Sequence, residues 1–210
     1  MVSGPGVVHP QQALVSKSKE FGNQHIILLN TQHTTHNQSC PATSKQMPNY
    51  YTAISDEQAT LIKAAPLFFV ATAAPLSTDV PESLGPINLS PKGGVPLHIL
   101  SPNRVAFLDY AGSGNETARH TNAGSPITVL ICSFEEDNAA IVRLYGRAYV
   151  TALDQSPLAE KLLAEGASDL KSRPRQVIEI HVEKTMTSCG YGVPVMALIR
   201  QRRTVDRGRR

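Results

Sequence analysis

From Met47 onward, short apolar runs alternate with clusters of Gly, Pro, Asn and Ser, the pattern of strands separated by turns. Ser55-Asp56-Glu57-Gln58 has capping-box spacing and predicts a short helix to about Ala65, where Pro66 helps to stop it. Leu67–Ala74 reads as a strand, with Phe68, Phe69 and Val70 in a run bounded by Pro75. A polar loop over 76–86 leads to a strand at Ile87–Ser90, which ends in Pro91-Lys92-Gly93-Gly94. Leu97–Leu100 and Arg104–Tyr110 read as strands around a turn at Ser101-Pro102-Asn103. A helix is expected over about Asn115–Asn122. Two β-branched strands follow, Ile127–Phe134 and Ala140–Thr151, joined by the acidic turn Glu135-Glu136-Asp137-Asn138. Ser156–Ala164 predicts a helix, and Val177–Val182 alternates as a half-exposed strand does. About six or seven strands with few helices predict a mainly β barrel or sandwich with peripheral helices.

The first 46 residues break this pattern. They are rich in Gln, His, Ser, Thr and Asn, hold one acid (Glu20) and one aromatic (Phe21), and lack arginine. This composition predicts a disordered leader, neither a signal peptide nor a transit peptide. Its four histidines, His9, His25, His33 and His36, match no metal-ligand spacing. The other end is basic: Arg200–Arg210 carries six arginines against Asp206, a local charge of +5. The rest of the chain therefore sums to −2 against the overall +3. The basic character belongs to a tail over 199–210 and not to a face of the domain over 47–198, so a nucleic-acid partner is not expected. No apolar run approaches the roughly 20 residues that span a bilayer, so no membrane partner is expected either. Three separated cysteines suggest neither a disulfide framework nor a zinc site, and fit a reducing, cytoplasmic compartment.

Three segments have chemical potential. Phe107–His120 runs from a strand through Ala111-Gly112-Ser113-Gly114 into a helix, with Ser113-x-x-Glu116 at capping-box spacing. Glycines there admit a close ligand, and a helix start suits a phosphate. Lys92 at a strand end beside glycines can supply a point charge, or serve as an exposed turn lysine. Pro91 in the same run implies an edge strand or bulge, leaving backbone groups free beside a flat ring. In Ile141–Ala148, Arg143 and Tyr145 share one strand face. Arg143 either meets an anionic ligand or forms the wet side of the strand, while Gly146 marks a bulge or close approach. Thr187–Pro194 places Tyr191 between two glycines, as a ring to stack on a ligand or as a packed turn residue; nothing adjacent activates Cys189.

Taken in order, FFVATAAP, NLSPKG, RVAFLDYAGSGNETARH, ITVLICSF, IVRLYGRAYV and TSCGYGVP resemble the pyridoxamine 5′-phosphate oxidase-like family of FMN-binding split barrels, over about residues 47–198. The resemblance implies a six-stranded antiparallel split barrel and a homodimer with two FMN sites at the subunit interface. It implies FMN phosphate contacts from Lys92 and Ser113, and a flavin ring bordered by the backbone of Asn88, Leu89, Ser90 and Pro91. Gly146 and Ala148 match the family's G-x-A strand. Gly114 and Asn115 stand where authentic pyridoxamine phosphate oxidases carry Arg-Lys. Ile87 and Ile141 replace an arginine and a glutamine, and CGYGVP occupies the region of a C-terminal Trp and Arg. These departures argue against the vitamin B6 reaction and leave Asn115 and Thr117 to give neutral hydrogen bonds to phosphate, each weaker than a charged one. Arg143 and Tyr191 are candidate contacts from the neighbouring subunit. The implied activity is an FMN-dependent oxidoreductase on a small-molecule substrate, with a nicotinamide nucleotide as candidate electron donor. The alternatives are a flavin-binding carrier or sensor without turnover, and a deazaflavin or haem on the same barrel. No side chain is assigned a catalytic role.

Overall fold

The computed structural model describes residues 48–75, 85–112, 114–165 and 174–201. The expected leader, most of the loop 76–86, Ser113 and the tail beyond 201 lie outside the described residues. In chain order the elements are β1 (Asn49–Tyr51), α1 (Asp56–Ala64), β2 (Leu67–Ala73), β3 (Ile87–Gly93), β4 (His98–Ser101) and β5 (Arg104–Tyr110). Then come α2 (Glu116–Asn122), β6 (Ile127–Cys132), β7 (Ala140–Ala152), α3 (Ala159–Glu165) and β8 (Pro174–Cys189).

The strands form one antiparallel sheet in the order β3-β2-β6-β7-β8-β5-β4, with β1 added along β8. The mainly β class, the antiparallel pairing and the peripheral helices are as expected. Among the described residues the strands number eight: the seven segments read as strands, β4 included, and the short β1, which was not expected. The sheet curls. Phe68 on β2 and Phe107 on β5, with three strands between them along the path, meet edge to face with ring centroids 5.3 Å apart. Burying each aromatic side chain is worth roughly 1.5–3 kcal/mol, so contacts of this kind drive the curl. Val70, Ile127, Ile131, Leu144, Ile178 and Ile180 complete the main core. The apolar run of β5 is continuous because both its faces are covered. Val105 and Phe107 enter the main core, while Ala106 and Leu108 meet Leu162 of α3.

Local signals explain most element ends. Ser55 and Gln58 form the expected reciprocal capping box on α1. β3 ends the sheet path, as Pro91 foreshadows, and pairs with β2 alone. Ser113 of the expected Ser113–Glu116 box lies outside the described residues; α2 is capped at Asn115, so Glu116 is the first helical residue and not the third. Glu116 instead pairs with Arg119 at 3.0 Å, and the Asn115 side-chain oxygen accepts from Gln176. β8 runs seven residues beyond the expected Val182, since it pairs along the whole of β7 and its polar second half is held by that neighbour.

Gly146 marks a bulge in the β7–β8 ladder and also a close approach. A Cβ there would overlap the His181 carbonyl oxygen, which is fixed backbone. Gly146→Ala should therefore cost about 1–3 kcal/mol in urea unfolding, as overpacking does. An unchanged midpoint would contradict this packing.

Candidate functional site

β3 places Asn88, Ser90 and Lys92 on one face by strict alternation, and leaves Ile87 and Leu89 exposed on the other. Lys92 reaches across the open seam of the sheet to Asp109 on β5, Nζ to Oδ1 at 3.0 Å. The Phe107 ring lies 5.8 Å from its ammonium, within cation–π range. Asp109 is only 4 % exposed, so its charge needs partners, and it has several. Its Oδ2 accepts from Arg175 Nε at 2.9 Å and from Gln176 Nε2 at 2.7 Å. Arg175 Nη2 also lies 2.9 Å from Oδ2 and donates to the Gly114 carbonyl at 2.7 Å.

Lys92, Asp109, Gly114 and Arg175 line a cavity of about 350 Å³ between β3, β5, the start of β8 and the turn before α2; Ser90, Asn115 and Thr117 also contribute to its wall. Two cations share one carboxylate, and Glu116 on the rim is matched by Arg119. The lining itself carries two cations and two carboxylates, and with Arg119 behind Glu116 the cluster sums to one positive charge, which suits an anion. A larger depression of about 440 Å³ lies at the far end of α2 against β7. Its single charged lining residue, Arg147, already meets the Gly124 carbonyl at 3.1 Å and Glu183 at 3.6 Å, so the smaller cavity is the better anion site.

A buried polar network fixes the cavity's floor. Asn88 Nδ2 donates to Thr117 Oγ1 at 3.0 Å and Thr72 Oγ1 at 3.2 Å, and Asn88 Oδ1 accepts from Ser90 at 2.7 Å. His120, with no exposed surface, joins α2 to β2: its Nε2 donates to the Gly85 carbonyl at 3.1 Å, and Nδ1 accepts from the Thr72 hydroxyl at 3.0 Å. Only the acceptor nature of the Gly85 oxygen is needed to place the proton on Nε2.

Of the sequence-predicted residues, Ser90, Lys92, Gly114, Asn115 and Thr117 come together at this cavity, with Asn88 beneath them. Leu89 contributes backbone alone to that face, and Ser113 lies outside the described residues. Arg143 is elsewhere in the same chain: it donates to Ser188 at 3.1 Å and pairs in register with Met186, eleven residues along β8 from Arg175. Tyr191 is 78 % exposed in a turn closed by Gly190. Cys132 is buried, which pushes its thiol above the ordinary range; the Arg143 charge opposes the shift. No group of three metal-ligating side chains occurs among the described residues.

Sequence reasoning missed Asp109, Arg175 and Gln176. An acid inside the apolar run Val105–Tyr110 was the available signal, since such a charge must find cations. Asp109→Ala should cost about 2–3 kcal/mol in urea unfolding. The loss falls below that of a fully buried pair because Lys92 and Arg175 can turn towards water. A change under about 0.5 kcal/mol would show that the carboxylate does not organise the seam.

No family model matches the chain. A curated Aspergillus flavus protein, the pyridoxamine 5′-phosphate oxidase family protein ustO, is 34% identical over 154 residues, covering 72% of this chain. The chain spans 58% of that relative's length in the match. Among solved structures, a candidate pyridoxamine 5′-phosphate oxidase of Lactobacillus delbrueckii is 21% identical, with 64% of this chain and 94% of that one covered at a TM-score of 0.47. An FMN-binding protein of Syntrophomonas wolfei is 10% identical, with 71% and 86% covered at a TM-score of 0.44. No described helix is long and apolar enough to cross a membrane. Over the matched stretch, the chain is a homologue of the pyridoxamine 5′-phosphate oxidase family.

Proposed function

We propose that this chain is an FMN-binding oxidoreductase that acts on a small substrate and works as a homodimer. The observation that carries the reading is the cationic cavity at Lys92, formed where β3 ends the sheet. A terminal strand has one row of unpaired backbone N–H and C=O groups, which can border the polar edge of a flavin ring. Lys92, reaching inward from that strand, supplies charge for the phosphate at the ring's far end. Bound FMN supplies the hydride and electron chemistry. The chain's residues bind and orient it: Lys92 by charge, Asn115 and Thr117 by neutral hydrogen bonds, and the Asn88–Thr72–His120 network by holding α2 against β2 and β3.

Exposed apolar side chains support assembly. Ile87 and Leu89 on the outer face of β3 are 77 % and 69 % exposed, and Met196, Leu198 and Ile199 are exposed beyond β8. A C2 dimer is the commonest cover for such surfaces. In the dimer, Arg143 and Tyr191 are proposed to approach the partner's flavin.

The function is tested by absorption between about 350 and 500 nm after incubation with FMN, followed by addition of NADPH or NADH. A stoichiometric flavin spectrum that bleaches and recovers in air is expected. A flavin that binds but never bleaches indicates a carrier or sensor, and no retained flavin rejects the proposal.

Two further outcomes follow from the same geometry. Lys92→Ala should weaken FMN by roughly 1.5–3 kcal/mol, the scale of a hydrogen bond to a charged group, and leave riboflavin nearly unaffected. Equal losses for the two ligands would remove Lys92 from the phosphate. If the flavin lies between subunits, FMN should raise the melting temperature and dilution should release it. Light scattering that shows a monomer with stoichiometric FMN at every concentration would rule out an interface site.

A further inference from the structure

We propose that Arg175 is a second cation for the ligand's phosphate, re-aimed into the cavity by a β-bulge at the head of β8; this rests on reading the cavity as the FMN phosphate site. The register shows how the bulge acts. Asp109 pairs with Gln176 and Tyr110 with Pro174, so Arg175 is the extra residue on β8. In an unbroken strand, Arg175 and Gln176 would face opposite sides of the sheet. Here both reach the same Asp109 oxygen, at 2.9 and 2.7 Å. A bulge allows this, since it bends the strand and turns one side chain out of alternation. Pro174, with no N–H for the ladder, fits the irregular register beside it.

The guanidinium is held ready for a ligand. Its Nε and Nη2 are fixed by Asp109 and its Nη2 also by the Gly114 carbonyl, while among the described residues Nη1 makes no hydrogen bond. It lines the same cavity as Lys92, and both side chains are partly open to solvent. A carboxylate shared by two cations leaves one charge uncompensated, and a phosphate monoester supplies the missing counter-charge. An arginine fork and a lysine point charge bind such a group in complementary ways. Gly114 and Asn115 in the turn carry no charge, and Arg175 brings one to the cavity from a different strand than Lys92.

The test compares FMN, riboflavin and inorganic phosphate on the full chain, for the unaltered protein, Arg175→Met and Arg175→Lys. Flavin binding is read by fluorescence and phosphate binding by 31P line broadening. Arg175→Met should weaken FMN about 10- to 100-fold, weaken phosphate as well, and leave riboflavin within about twofold. Arg175→Lys keeps the charge without the fork and should show a smaller loss confined to the phosphate ligands. If Arg175→Met does not fold, Arg175→Lys decides: an unchanged ratio of FMN to riboflavin affinity overturns the proposal. FMN and phosphate affinities unaltered in Arg175→Met overturn it too, and if Lys92→Ala still weakens FMN, the flavin reading survives alone. If no flavin binds yet phosphate binding falls in Arg175→Met, Arg175 is a phosphate ligand and the FMN reading fails. If neither flavin nor phosphate binds the unaltered protein, both fail.

Discussion

Lys92 and Asp109 stand on strands that share no backbone hydrogen bond, β3 at one end of the sheet path and β5 near the other, yet their side chains meet at 3.0 Å. An ion pair open to water on one side adds little stability of its own. The aromatic and aliphatic core, with Phe68 against Phe107, supplies the energy that brings the two ends together. What the pair adds is direction. A carboxylate buried this deeply must be compensated, and the groups that compensate it come from β3 and β8, while Gln176 also ties in Asn115 from the turn before α2. Asp109 therefore decides where the cavity's cations point.

Irregularities in β8 do the remaining positioning. One bulge lets β7 and β8 approach at Gly146, where any Cβ would strike backbone. The other turns Arg175 into the cavity beside Gln176. Each interrupts one ladder of β8, the longest strand among the described residues: the first its ladder with β7, the second its ladder with β5. Behind the cavity, Asn88 bonded to Thr117 and His120 bonded to Thr72 and the Gly85 carbonyl hold α2 in place. The helix is short and lacks a side-chain cap, so its position depends on this network more than on its own propensity.

Much of this could be read from the chain. The strand alternation, the Ser55 capping box, the edge character at Pro91 and the bulge at Gly146 are local signals, and each has a local physical cause. Lys92 at a strand end carries a visible sequence mark, Asn115 and Thr117 were singled out through the resemblance, and all three line one cavity. Arg175 and Asp109 are 66 residues apart, and their meeting depends on a register shift that no short window records. The missing side-chain cap on α2 has the same origin: Gln176, from a distant strand, takes the Asn115 oxygen that would otherwise be free to cap. Long-range pairing overrode the local preference in both places.

The central claim is that one phosphate is held jointly by β3 and β8 across the seam of the sheet. A crystal structure of the protein with FMN tests it most directly. The account predicts phosphate oxygens within about 3.2 Å of both Lys92 Nζ and the Arg175 guanidinium, with the ring along the free edge of β3. A phosphate bound elsewhere, or one touching neither cation, would contradict it.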